Sequence, residues 1–159
     1  MRLAVRRARP DELDLVHEIM RAAFAEYEGV LPVASGANSE SVSDVRRAVA
    51  RGGAVLAFHD GQPVGSARFE LVPDAVYVGR VSVLPAHRRR GVASAMMRFL
   101  EDLAPSLGRG TLRVAVRESL PSNIELYRSL GYEVLSIDAH ARGPDRVWTM
   151  VKRIAPIQA

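Results

Sequence analysis

The sequence predicts a mixed α/β (α+β) domain of about seven strands and four helices, on three observations. Short strand-like runs alternate with runs of helical period along the whole 159 residues, without an internal repeat or low-complexity linker. Residues 54–84 hold three consecutive strand-like runs joined by an Asp-Gly and a Pro-Asp turn, an antiparallel meander. From Gly91 the apolar period becomes helical.

Residues 2–7 read as the first strand. Pro10 and Asp11 open a helix whose apolar positions Leu13, Val16, Met20, Ala23, Phe24 and Tyr27 recur at helical spacing, and Gly29 ends it. Residues 30–38, with their proline, glycine and small side chains, form a surface loop of the kind that shapes substrate pockets. Ser41 and Asp44 have the spacing of a capping box, and Val42, Val45 and Val49 give a short helix stopped at Gly52. The runs 54–59 and 62–72 flank Asp60 and Gly61, a pair suited to the positive φ angles of a type I′ turn. Pro73 and Asp74 lead into the third run, 75–84, where Gly79 marks a candidate bulge. Val92, Ala95, Met96, Phe99, Leu100 and Leu103 form the core-facing stripe of the next helix. Residues 111–116 read as a buried strand, and Ser122 with Glu125 forms a second capping-box pattern on a helix that closes at Gly131. Two strands, 132–139 and 146–153, end the chain around a turn with Gly143 and Pro144.

At 48% hydrophobic and 25% charged residues, the chain suits one domain spanning residues 1–159. A chain of this length removes roughly 70% of its unfolded surface from water and needs no disulfide or structural metal. The absence of cysteine excludes cysteine nucleophiles, thiolate zinc sites and iron–sulfur clusters. His17, His59, His87 and His140 lack metal-ligand spacing, so no metal is expected. The N-terminal arginines precede no apolar stretch of leader length and no run matches a membrane span, so the sequence reads as a cytoplasmic protein without a membrane partner.

Charge is distributed unevenly. Residues 1–80 carry 10 basic and 11 acidic side chains, net −1, and residues 81–159 carry 12 and 7, net +5. Arg88, Arg89 and Arg90 are consecutive, a local focus that favours an anionic ligand. Only these three cluster, with few aromatic residues among them, which disfavours a nucleic-acid partner. They lie in VSVLPAHRRRGVASAMM, residues 81–97, where a strand passes into a helix through a glycine. A helix N-terminus presents unpaired amides and about half a positive charge, and glycine lets a ligand come close to the backbone. Neither GxGxxG nor GxxxxGK[ST] is present, which argues against dinucleotides and nucleoside triphosphates in their usual modes.

Arg88, Gly91 and Ala93 reproduce the RxxGx[GA] motif of the Gcn5-related N-acetyltransferases, after a strand VSV and Pro85 that also resemble the family. SNIELYRSLGY, residues 122–132, is similar to the family's second cofactor segment, and the order of elements resembles that fold along essentially the whole chain. The resemblance implies a mixed, mostly antiparallel central sheet flanked by four helices, and acetyl-CoA as co-substrate. The pyrophosphate would lie on the amides of Arg88, Arg89, Arg90, Gly91, Val92, Ala93 and Ser94. The pantetheine arm would pair with the backbone of Val81 and Val83, in a gap between the meander's last strand and a parallel strand at residues 111–116. For the arginine side chains themselves, solvated surface charge is the plain alternative.

Acetyl transfer to an amine needs a neutral amine, oxyanion stabilisation and a proton for the leaving thiolate. Tyr127 matches the family's tyrosine for that last role, and Asn123, four residues earlier, shares its helical face. No carboxylate occurs in residues 75–84, where the family often keeps one; Glu118, Glu26, Glu28, His140 or a water chain are the candidates for the general base. Without cysteine, direct attack in a ternary complex is expected. The acceptor is read as a small-molecule amine, with Tyr27, Tyr77 and Arg80 as candidate substrate-binding residues and Arg80 as a fork for an acceptor carboxylate. A non-catalytic acyl-CoA-binding module of the same fold is the competing reading. The last two strands offer a surface for pairing in a homodimer.

Overall fold

The computed structural model describes residues 2–154, so the expected domain over residues 1–159 extends outside the described residues at 1 and 155–159. Strands β1 (Leu3–Arg7), β2 (Gly52–His59), β3 (Gln62–Val72), β4 (Ala75–Val83), β5 (Thr111–Arg117), β6 (Glu133–Ala139) and β7 (Arg146–Arg153) form one sheet in the order β1-β2-β3-β4-β5-β7-β6. All neighbours are antiparallel except β4 and β5. The helices are α1 (Leu13–Phe24), α2 (Val42–Val49), α3 (Val92–Leu103) and α4 (Pro121–Ser129). Among the described residues no helix is long and apolar enough to cross a membrane.

Strand alternation divides the core into two layers. Ala54 and Leu56 of β2 join Leu13, Val16, Met20 and Val45 beneath α1 and α2. Val55 and Ala57 point the other way and join Met96, Met97 and Leu100 of α3, with Ile124 and Tyr127 of α4. Each large side chain buried in this way contributes about 1.5–3 kcal/mol.

Local signals explain most boundaries. Asp60 and Gly61 have φ of 48° and 83°, the positive pair that a type I′ turn requires. The Asp44 amide donates to Ser41 Oγ at 3.2 Å and the Ser41 amide to Asp44 Oδ2 at 2.8 Å, completing the first capping box. The second does not form: α4 begins at Pro121 after Leu120, and a proline there supplies helical φ with no amide to satisfy. Gly52 opens β2 rather than merely stopping α2. Residues 30–38 are not irregular throughout, because Gly36–Asn38 form a 3-10 turn capped by Ser35 Oγ.

The expected bulge is present but displaced. Ser66 pairs with Ser82 and Arg68 with Gly79, so β4 carries one extra residue there. The left-handed residue is Arg80, with φ 48°, not Gly79. Arg80 is held in this conformation by Glu40, whose Oε1 accepts from its Nε at 3.2 Å and its Nη2 at 2.8 Å. Parallel pairing of β4 with β5 runs from Val76–Leu112 to Val78–Val114 and stops before the bulge, so the two strands part beyond it.

The end of β1 is tied to the start of α1 by Glu12. Arg6 donates to its two oxygens at 2.7 and 2.8 Å and the Arg9 amide donates at 2.8 Å. The Arg6 hydrogen bonds, then the Arg9 amide, lower its pKa from 4.5 to about 2. The folded value lies below the unfolded one, so this stabilisation is present above pH 4.5 and is lost as pH falls through about 2. Glu12→Gln is expected to flatten that acid limb in urea midpoints measured against pH; an unchanged limb would assign it to other carboxylates.

Candidate active site

The segment from β4 to α3 is built to leave amides free. Pro85–His87 form a 3-10 turn, Arg89 and Gly91 take φ of 62° and 79°, and α3 starts at Val92. Left-handed residues alternating with others aim successive N–H groups into one concavity. Among the described residues the amides of residues 89–94 donate to no protein acceptor; the first helical bond is from Ala95 to Gly91 at 3.0 Å. A Cβ at Gly91 would meet nothing within 4 Å, so its backbone angle, not space, demands glycine. At Gly65 the demand is space: a Cβ would lie 2.9 Å from Val92 Cγ1 and 3.2 Å from Met96 Cε, so this glycine lets the start of α3 press onto β3.

These amides face a cleft of about 430 Å³ lined by Val81–Val83 of β4, His87–Arg89 and Gly91–Ser94 of the turn and α3, Ala23, Phe24 and Tyr27 after α1, and Ser122, Asn123, Leu126 and Tyr127 of α4. The Leu84 amide donates to Val64 O at 2.9 Å, so alternation turns the backbone of Val83 and Val81 away from β3. With β5 parted, that edge opens on the cleft.

The arginine run divides its work. Arg88 points away from the amides: Nη2 donates to Ala23 O at 2.9 Å, Nε to Val83 O at 3.4 Å, and Nη1 pairs with Glu26. It staples the end of α1 to β4. Arg89 and Arg90 are exposed and in no ion pair among the described residues, and Arg90 does not line the cleft.

Tyr127 is buried in the cleft wall, its ring edge-on to Tyr132 with centroids 5.7 Å apart. Its hydroxyl makes no hydrogen bond among the described residues, and burial raises its pKa. Tyr132 Oη donates to Glu101 at 3.0 Å, and Lys152 donates to the same carboxylate at 2.8 Å. Asn123 lines the cleft one helical turn before Tyr127.

The base candidates lie elsewhere or are engaged. Glu118 accepts from Arg146 Nε at 2.9 Å and Nη2 at 2.5 Å, and from Trp148 Nε1 at 3.3 Å, outside the cleft. Glu26 is paired with Arg88 at the rim, Glu28 is exposed, and His140 Nδ1 accepts from the Arg142 amide at 3.0 Å. Among the described residues no Asp or Glu lines the cleft. Tyr27 does line it, against Phe24, whereas Tyr77, before the bulge on β4, and Arg80, in the bulge itself, do not. Arg80 offers no free Nε–Nη2 fork, because Glu40 occupies it. Sequence reasoning missed Phe24, His87 and Leu126 in the lining; an apolar stripe and a lone histidine give no sign that they border a cavity.

The acetyltransferase (GNAT) family model matches residues 14–132. The chain belongs to the GNAT family. A mycothiol acetyltransferase from Geodermatophilus obscurus is 40% identical to this GNAT chain over 76 residues, 48% of this chain and 20% of that protein. The uncharacterized protein YyaT of Bacillus subtilis is 24% identical over 82 residues, 52% of this chain and 53% of that protein. The chain thus spans about a fifth and about half the lengths of these curated relatives. The PaiA N-acetyltransferase from Thermoplasma acidophilum, solved in complex with coenzyme A, aligns with a TM-score of 0.77 at 15% identity over 96% of this chain and 99% of that one, a likeness of fold.

Two outcomes follow from this geometry. Gly91→Ala forces a Cβ into the left-handed region, which costs about 1–2 kcal/mol and lowers Tm by roughly 2–8 °C; an unshifted melt would show that the turn relaxes freely. Burial raises the pKa of Tyr127, and burial followed by the Glu101 charge raises that of Tyr132. Their contribution to stability is therefore full below the ordinary value of 10 and lost as pH rises beyond it. Melting temperatures are expected to fall above about pH 10, and less steeply in Tyr127→Phe.

Proposed function

We propose that this GNAT chain is an N-acetyltransferase that moves an acetyl group from acetyl-CoA to the primary amine of a small-molecule or amino-acid-like acceptor, by direct attack in a ternary complex. The observation that carries this reading is the row of free amides at residues 89–94, continuous with the backbone edge of Val81 and Val83, which has no strand partner there although Val83 O accepts from Arg88 Nε at 3.4 Å. A diphosphate fits the first and an extended amide-bearing arm the second. Family membership, the mycothiol acetyltransferase relative and the fold shared with a coenzyme A complex agree with it.

Acetyl-CoA, when bound, supplies an activated acetyl group as a thioester. The amides of Arg89–Ser94 hold the phosphate charge and Gly91 keeps them convergent; Arg89 and Arg90 add long-range attraction, while Arg88 fixes the cleft wall. The Val81 N–H faces the gap and serves as the donor toward an acyl oxygen. Tyr127 Oη–H is the donor offered at the sulfur end, beside Asn123. With no hydrogen-bond partner among the described residues, the Tyr127 hydroxyl is free to supply the proton for the leaving thiolate. With no carboxylate in the lining, the amine proton leaves through water. Tyr27, Tyr77 and Arg80 belong to the acceptor side. A homodimer through the last two strands fits the outer position of β6 and its exposed Val134, Leu135 and Ile137.

The absence of a lining carboxylate also favours a second reading, a non-catalytic acyl-CoA-binding module. Acetyl-CoA at 100 times its Kd should add about 2.7 kcal/mol of stability, and no shift in Tm would remove both readings. Thiol release over an amine panel separates them. Tyr127→Phe is expected to lower kcat about 10- to 100-fold, the worth of one hydrogen bond to a charged atom, with acetyl-CoA affinity retained. Lost affinity at unchanged kcat would contradict the assignment.

A further inference from the structure

We propose, resting on the N-acetyltransferase reading, that the acceptor is an amine bearing a carboxylate, and that Arg117 together with Arg80 selects it in a hollow where β4 and β5 part. The side chains of Val76, Val78, Leu112, Val114 and Val116 fill the core under α3. Alternation therefore puts Tyr77 and Gly79 of β4, and Arg113, Ala115 and Arg117 of β5, on the opposite face. Ala115 is exposed although β5 lies between β4 and β7, and a Cβ on Gly79 would meet only Tyr77 Cε1, at 3.9 Å. Ala115 of an interior strand is thus open to solvent, with half-buried Gly79 on the same face of the neighbouring strand.

The walls of the hollow are cationic. Arg80 rises from the bulge, one residue before Val81, and Arg117 from the end of β5; both are anchored to the same loop. Arg80 is bonded to Glu40 and its Nη2 lies 2.7 Å from where a Cβ on Gly36 would stand. Arg117 Nη1 donates to Val33 O and its Nη2 to Ala34 O at 3.1 Å. Each guanidinium spends two of its five N–H groups on these anchors and keeps the rest. Glu40 is shared between Arg68 and Arg80, Arg113 is paired with Asp74, and Arg117 has no ion pair among the described residues, so positive charge is in excess. Burial chiefly, with Arg142 and Arg80 acting against Asp145, brings the Arg117 pKa below its ordinary value. A carboxylate presents two oxygens to such donors, whereas a polyamine would bring like charge to like.

The test measures thiol release with acetyl-CoA and matched acceptors: α-amino acids, their carboxamides and the corresponding decarboxylated amines. Carboxamides have the less basic amines, so a preference for the acid does not come from amine basicity. The acid is expected to exceed its carboxamide in kcat/KM by about tenfold or more. Arg117→Gln, and independently Ala115→Asp, which sets a carboxylate at that open position, should each raise KM for the acid about tenfold while the acetyl-CoA shift in Tm persists. Equal or better use of carboxamides and decarboxylated amines, failure of every acid to react, or an unchanged KM in both variants overturns the inference. Those results with a retained acetyl-CoA shift leave the cofactor reading standing; loss of the shift in the unmodified protein removes that reading instead.

Discussion

Between Gly79 and Ser82, β4 carries one residue more than β3 opposite it, and the arrangement of the cleft depends on that excess. The added residue bends β4 from β5, ends their parallel pairing at Val78–Val114 and leaves the backbone of Val81 and Val83 without a strand partner on one side. It also puts a non-glycine residue in the left-handed region, a strain of about 1–2 kcal/mol. Glu40 offsets it. Burial would raise the Glu40 pKa, but hydrogen bonds from Arg68 and Arg80 outweigh that effect and hold it below its ordinary value. A single charge-assisted bond of about 1.5–3 kcal/mol matches the strain. The Arg68–Glu40–Arg80 cluster thus keeps the strands apart.

Arginine does similar work elsewhere. Arg109 spans Val72 O at 2.7 Å and Leu107 O at 3.1 Å, Arg117 clamps residues 33–34, and Arg88 joins α1 to β4. A planar group with donors on several edges can satisfy two or three loop carbonyls at once, which a lysine ammonium on its flexible stem does less well. Much of the chain's basic character is therefore structural. The charge left for a ligand is what these clamps leave unpaired, at Arg89, Arg90 and the hollow beside Arg117.

Elements whose signals are local were legible in the sequence. The Asp60–Gly61 turn, the Ser41–Asp44 cap and the stripe of α3 each depend on residues within a few positions, and the Gly91 turn announced the free amides. What depended on distant partners was not legible. Gly79 was the natural residue for a bulge, yet a carboxylate 40 positions from Arg80 decided which residue turned left-handed. Ser122 and Glu125 had capping spacing, but Pro121 started the helix two residues sooner, after Leu120 as the cap. Nothing local to Arg88 or Glu118 told that each had a partner, in Glu26 and Arg146. Nothing local marks Arg117 either, since its meaning lies in an exposed alanine two residues before it on the same face.

The same cations bear on the proton that an acceptor amine must lose. On the proposed function the cleft offers no carboxylate to take it, and the flanking charges at Arg80 and Arg117 are positive. Nearby positive charge disfavours an ammonium and lowers its pKa, so the hollow itself shifts the bound amine toward the neutral form. The acceptor's carboxylate would lie against the guanidinium groups, and the nitrogen, one or more bonds away and facing Val81, would feel their residual field. A base is needed to remove a proton that is firmly held; where the surroundings already loosen it, water suffices. On that reading, cationic selection of the acceptor goes with the lack of a carboxylate on β4: Glu40 is shared between Arg68 and Arg80, and Arg117 has no ion pair among the described residues.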